Sequence, residues 1–74
     1  GDFSMAIDYF RTALESMPAN VNIALNLLQA LSRRQTLNAD LKALAQHCVS
    51  LITAGQLPAD QQKRYQVILG HLDL

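Results

Sequence analysis

The sequence predicts an all-α chain of about four helices, and three observations carry that expectation. Half of its 74 residues are hydrophobic, yet only four are aromatic and none is Trp, so Leu, Ala, Ile, Val and Met must build the interior, as in helix bundles. The apolar residues recur at steps of three and four, the spacing of one helix face. Asn20, Asn38, Gly55 and the prolines Pro18 and Pro58 punctuate the chain at helix-length intervals.

In the first segment Phe3, Ala6, Ile7, Phe10, Ala13, Leu14 and Met17 share one side, while Asp8, Arg11, Thr12 and Glu15 share the other. A helix from about Asp2 to Met17 follows, with Asp2 capping its free N–H groups and Pro18 lacking the donor that would continue it. The second segment runs from the cap Asn20 to about Arg34. Its apolar residues Val21, Ile23, Ala24, Leu25, Leu27, Leu28, Ala30 and Leu31 cover most of the circumference, so it must be buried on more than one side. Its polar residues Asn22, Asn26, Gln29 and Arg33 fall at offsets of four, seven and eleven and form one narrow stripe. Arg33 and Arg34 suit the negative end of that helix.

A turn over residues 35 to 38 leads to a third helix, about Ala39 to Ala54, capped by Asn38 with Leu41, Leu44, Ala45, Cys48, Leu51 and Ile52 inward. Gly55 is expected as a left-handed stop. Leu57 and Pro58 open a fourth helix, where Pro58 suits the first turn and Tyr65, Ile68, Leu69 and Leu72 repeat at helical spacing. Its polar start, Asp60 through Arg64, implies a wetter, terminal element. The short connections predict antiparallel neighbours.

Composition bounds the function. A chain of 74 residues lies in the size range where one core is marginal, which argues against a self-sufficient enzyme. Its formal net charge of zero provides no footprint for phosphate backbones or anionic lipid, so neither nucleic acid nor membrane is expected as a partner. No apolar run approaches the roughly 18 to 20 residues of a membrane-crossing helix. The lone Cys48 cannot form an internal disulfide, and together with the lack of a cationic start before an apolar stretch this favours a cytoplasmic protein.

Ala6, then Phe10, Ala13 and Pro18, preceded by Gly1-Asp2-Phe3 at a turn, resemble the second half of a tetratricopeptide repeat, with its Ala-x-x-x-Phe pattern and closing Pro. The alanines of that pattern let helices approach, the aromatic fills the gap between hairpins, and the proline ends the unit. Ala24, Leu27, Leu28 and Leu31 are similar to the opening helix of the next repeat, with Ala, Leu and Leu where the family carries Trp, Gly and Tyr. The family's period of about 34 residues moves Ala6 and Phe10 to Asp40 and Leu44, and one residue more restores an apolar face at Leu41 and Ala45. The resemblance implies antiparallel α-hairpins of a tetratricopeptide-like α-solenoid. Residues 1–38 would be the second helix of one repeat and the first of the next, and 39–74 a degenerate repeat with a C-terminal capping helix. Beginning on a turn glycine, the chain is expected to continue upstream in a larger protein. The run from Asn20 to Leu31 is also similar to repeat modules that follow receiver domains in some bacterial response regulators, which implies a place in signal transduction.

By the same resemblance, Asn22, Asn26, Gln29 and Arg33 line the concave groove of a protein or peptide scaffold. Amides offer both donors and acceptors to an extended backbone, and Arg33 suits a carboxylate; the alternative is that the stripe is only the solvated side of a buried helix. The family's anionic-tail clamp needs further basic residues from neighbouring first helices, and Lys63 and Arg64 show no evident register for it. Phe3, Ile7 and Phe10 are expected to form an open apolar face that drives self-association, with a homodimer as the result. Tyr9, off the main stripe, is expected under an upstream helix or at an interface.

His47 and Cys48 point about 100° apart on a helix, and no second Cys or nearby His completes a metal shell. Neither a metal, a cofactor nor a catalytic set is therefore expected. Cys48 is expected in the core, and His47 and His71 at the flank and surface. Three functions remain: a non-catalytic interaction scaffold, a dimerisation or domain-packing module without a groove, and an enzyme fragment using Cys48.

Overall fold

The computed structural model describes residues 3–34 and 36–72, without the side chain of Phe3. Four helices follow in order: α1 Phe3–Ser16, α2 Val21–Ser32, α3 Ala39–Ala54 and α4 Ala59–His71. The cap expected at Asp2 and the turn residue Gln35 lie outside the described residues. No helix among those described is long and apolar enough to cross a membrane.

Three boundaries have a local cause. Pro18 stops α1, and the turn that follows is closed by the Asn20 N–H donating to the Met17 carbonyl at 3.1 Å. Asn20 then sits in extended backbone, and its Oδ1 accepts from the Asn22 and Ile23 N–H groups at 3.0 and 3.1 Å, which satisfies two of the donors a helix start leaves open. Asn38 does the same for α3, accepting from the Leu41 N–H at 2.8 Å. Pro58 precedes α4 and makes no side-chain cap; α4 thus begins with less local support than α2 or α3.

Gly55 ends α3, but not as the left-handed residue expected. Its φ of −87° and ψ of 178° are extended backbone, which any residue adopts. What requires glycine is proximity: a Cβ there would lie 2.5 Å from Val21 Cγ1, closer than atoms pack. The absent side chain lets the end of α3 cross the start of α2.

The core is organised around α2. Ala24, Leu25, Leu27, Leu28, Ala30 and Leu31 are buried, and α2 is the helix against which α1, α3 and α4 all pack. Ile7 and Leu14 come from α1, Leu41, Ala45, Cys48 and Ile52 from α3, and Ile68 from α4, with Leu72 just beyond it. Burying each large aliphatic side chain contributes about 1.5–3 kcal/mol, so most of the driving force comes from these fourteen buried residues. The sequence pattern demanded this: a helix apolar nearly all round needs partners on several sides.

Neighbours in sequence are not always neighbours in space. Ser4 near the start of α1 meets Arg34 just past the end of α2, and Val21 at the start of α2 meets Gly55 at the end of α3, so both pairs are antiparallel hairpins. Among the described residues α3 and α4 share no close backbone contact. Instead α4 lies beside α2, where Arg64 reaches Asn26 and Gln29 and His71 shares a cleft with Ser32 and Arg33. The order rises along both helices, so α2 and α4 run parallel.

Candidate partner-binding groove

The polar stripe of α2 forms the floor between α1 and α4. Asn22 is exposed in the first turn, Asn26 and Gln29 are half-buried, and Arg33 is exposed at the C-terminal end. Asn26 and Gln29 are half-covered because α4 leans over them. Arg64 donates through Nη2 to Asn26 Oδ1 at 3.1 Å and to Gln29 Oε1, and through Nη1 to Gln61 Oε1 at 3.2 Å. Hydrogen bonds from a charged donor are stronger than those between neutral groups, so Arg64 both covers two amides and ties α4 down. Below them Ser32 Oγ donates to the Gln29 carbonyl at 2.6 Å.

The walls differ in chemistry. On the α1 side, Ala6 and Phe10 face Asn26, Gln29, Ala30 and Arg33 across a shallow cleft. On the α4 side, Arg64, Val67, Ile68 and His71 face Gln29, Ser32 and Arg33. Gln29 and Arg33 line both clefts, so the two adjoin over α2, one with an apolar wall and one with a basic wall. Three stripe residues, Asn26, Gln29 and Arg33, therefore line these clefts, the first two already engaged by Arg64, while Asn22 lies outside them. The sequence contained a signal for this in a guanidinium four residues ahead of the buried Ile68, yet only the parallel docking of α4 on α2 brings the two registers together. Arg64 thus meets Asn26 from 38 residues away in the chain, while Lys63 is exposed.

The expected self-association face changes composition. Ile7 is only 2% exposed and packs in the core, because its direction on α1 is that of Leu14, toward α2. It cannot belong to an open face. Phe10 is half-buried at the groove wall, and the side chain of Phe3 lies outside the described residues. The exposed apolar surface of α1 is formed instead by Met5 and Tyr9, 72% and 71% exposed and one turn apart. The Tyr9 ring stands edge-on to Phe10, with centroids 5.4 Å apart. On the same helix Asp8 and Arg11 form an exposed ion pair at 3.8 Å, a contact of little energetic weight.

Cys48 is fully buried, and burial pushes its thiol from 9.0 up to about 11. A thiol held neutral and out of solvent is a poor nucleophile. His47 is exposed on the neighbouring face of α3. Among the described residues no three His, Cys, Asp or Glu side chains converge into a group able to hold a metal ion.

No protein-family model matches the chain, and neither a curated protein nor a solved structure matches it significantly.

Proposed function

We propose that the chain is a non-catalytic scaffold for protein-protein contact, a tetratricopeptide-like module that takes an extended peptide along α2. The observation that carries this reading is the pair of adjoining clefts over Asn26, Gln29 and Arg33, with Asn22 exposed one turn before Asn26 on the same stripe. Side-chain amides bond a peptide backbone without selecting its charge, and walls of different character select its side chains. The resemblance of residues 3–31 to tetratricopeptide repeats supports the same reading, as does the buried thiol of Cys48 against an enzyme based on that residue. Within it, the module serves the C-terminal part of a larger bacterial signalling protein, such as a response regulator, in the cytoplasm.

The test is an array of blocked peptides probed with the natural chain and with Asn22→Ala/Arg33→Ala, which changes the two exposed stripe residues and leaves the Arg64 contacts in place. Peptides retained by the first and lost by the second support the groove. Binding indifferent to both substitutions overturns it.

A second reading has its own observation. Exposed Met5 and Tyr9 on α1 favour a homodimer or a packing surface for a neighbouring domain, since apolar surface one turn apart on a helix is costly to leave in water. Sedimentation at micromolar concentration tests it: a dimer that Tyr9→Ser dissolves supports the module, and a monomer throughout excludes the homodimer.

A further inference from the structure

Two uncovered features of the chain match each other. The first is a ridge on α1, where Met5 and Tyr9 are 72% and 71% exposed and the exposed Thr12 continues the same side at helical spacing. The second is an open cleft of about 500 Å³ between the end of α3 and the start of α4, whose lining includes Ile52, Leu57, Gln62, Tyr65 and Gln66. We propose, taking α1 as the contact surface of the second reading above, that the ridge of one copy of the chain seats in the α3–α4 cleft of another.

The cleft exists because α4 docks on α2 and, among the described residues, shares no close backbone contact with α3. Its floor is apolar. Ile52 is buried, and Leu57 and Tyr65 are half-buried against the core. The exposed amides of Gln56, Gln62 and Gln66 form its rim, where Gln62 Nε2 donates to the Leu57 carbonyl at 3.3 Å. An apolar floor inside a polar rim is the layout of a protein interface, in which charged residues are depleted at the centre. A small molecule fits such a cleft less well, because its sites bury most of the ligand's surface and this one stands open.

The ridge has the complementary chemistry. Tyr and Met are enriched at interfaces, and a Tyr ring buries apolar area while its hydroxyl finds a partner at the wet edge, here among the rim amides. The edge-on contact with Phe10, centroids 5.4 Å apart, already orders the Tyr9 ring, so less side-chain freedom is lost on docking. Met5, Tyr9 and Thr12 carry no charge, and neither do the described residues that line the cleft, so neither surface strips water from an ion when they meet. The flanking charges are opposite in sign: Asp8 precedes Tyr9 and Lys63 follows Gln62, both exposed. Within one chain the ridge cannot reach the cleft, since α1 packs on α2 and, among the described residues, on neither α3 nor α4. The contact therefore joins two different patches of two copies, a heterologous pairing. One helix face covers less than the roughly 800 Å² per partner of a standard interface, so association in the range of about 10 µM to 1 mM is expected.

The test is complementation between two variants of the full chain. Tyr9→Glu spoils the ridge and leaves the cleft; Gln56→Glu/Gln66→Glu places two carboxylates on the rim and leaves the ridge. All three positions are exposed, and continued resistance of the buried Cys48 to a thiol reagent checks that each variant is folded. The proposal expects the natural chain to associate as its concentration rises in sedimentation equilibrium. Each variant alone should associate about tenfold more weakly or less, the loss typical of a central interface residue. Mixed one to one, they should form a heterodimer with the affinity of the natural contact, because one supplies an intact cleft and the other an intact ridge. In that mixture isotopically labelled Tyr9→Glu chain should show shifted amides at Gly55, Leu57 and Tyr65 and an unchanged α1.

A natural dimer that Tyr9→Glu dissolves and Gln56→Glu/Gln66→Glu leaves intact overturns the pairing, because α1 then meets α1 of its partner. The second reading survives that result. Mixed variants that stay monomeric while the natural chain associates also overturn it. A natural chain that remains monomeric up to about 1 mM, the weak limit given above, overturns the pairing and the homodimer of the second reading together.

Discussion

Two parallel helices, α2 and α4, lie side by side and are held by opposite means. Half of the residues in α2 are buried, its start is capped by Asn20, and it packs on all three other helices. By contrast α4 buries Ile68 within its length, has no side-chain cap and, among the described residues, packs closely on α2 alone. The difference teaches where the fold is specified: α2 is held by its own pattern and by everything around it, whereas α4 is placed by Ile68, by Leu72 beyond it, by the half-buried Tyr65 and Leu69, and by the Arg64 bonds. Regions with few buried contacts open at lower free energy than the core, so the groove has one fixed wall and one that can move.

The largest effect should come from truncating the shared core. Leu28→Ala removes a fully buried side chain and should cost about 2–5 kcal/mol, comparable to the whole stability of a domain this small. Ile68→Ala deletes a similar volume, but the loss should fall on α4. Circular dichroism in urea and residue-resolved amide exchange separate the two outcomes. If Ile68→Ala unfolds α1 to α3 together with α4, the contrast between the two helices is wrong.

Gly55→Ala comes next. The added methyl meets Val21 Cγ1, and overpacking of this kind costs about 1–3 kcal/mol. Val21→Ala in the same chain should restore most of it, and the double-mutant cycle in urea measures the coupling. Should Gly55→Ala alone be neutral, the start of α2 yields easily, and its fixed character is overstated.

Removing a cap tests the local part of the same contrast. Asn38→Ala should destabilise the chain by about 1 kcal/mol, because the Leu41 N–H loses its acceptor. Pro58→Ala should be milder, since no side-chain bond is lost there. Thermal melts of both variants check the order.

The pattern of legible and illegible features follows from the range of the forces involved. Asn20 and Asn38 as caps, Pro18 as a stop and the apolar circumference of α2 act within a few residues, and each was visible in the sequence. The role of Gly55 was not, since its constraint is a side chain 34 positions earlier, on Val21. Nor was the burial of Ile7 distinguishable from the half-burial of Phe10, because both lie on one apolar arc and only the position of α2 divides it. For the groove, the stripe itself could be seen from helical spacing. Its second wall could not, because four short-linked helices predict that α4 pairs with α3, and the observed pairing with α2 brings Arg64 to Asn26 across 38 residues.

The smallest effect, and the most specific, belongs to Arg64. Arg64→Met keeps an unbranched apolar stem of similar reach over α2 and removes the donors to Asn26, Gln29 and Gln61. Hydrogen bonds to a charged group contribute about 1.5–3 kcal/mol when buried, but this guanidinium is only half-buried, and its amide partners regain water when it leaves. A loss of about 0.5–1 kcal/mol is therefore expected, confined to α4. Amide exchange should quicken by roughly twofold to fivefold along α4, with α2 and α3 unchanged, because each factor of ten corresponds to about 1.4 kcal/mol. If exchange in α4 is unaltered, its apolar contacts hold the helix without help, and Arg64 contributes to the groove without fastening its wall.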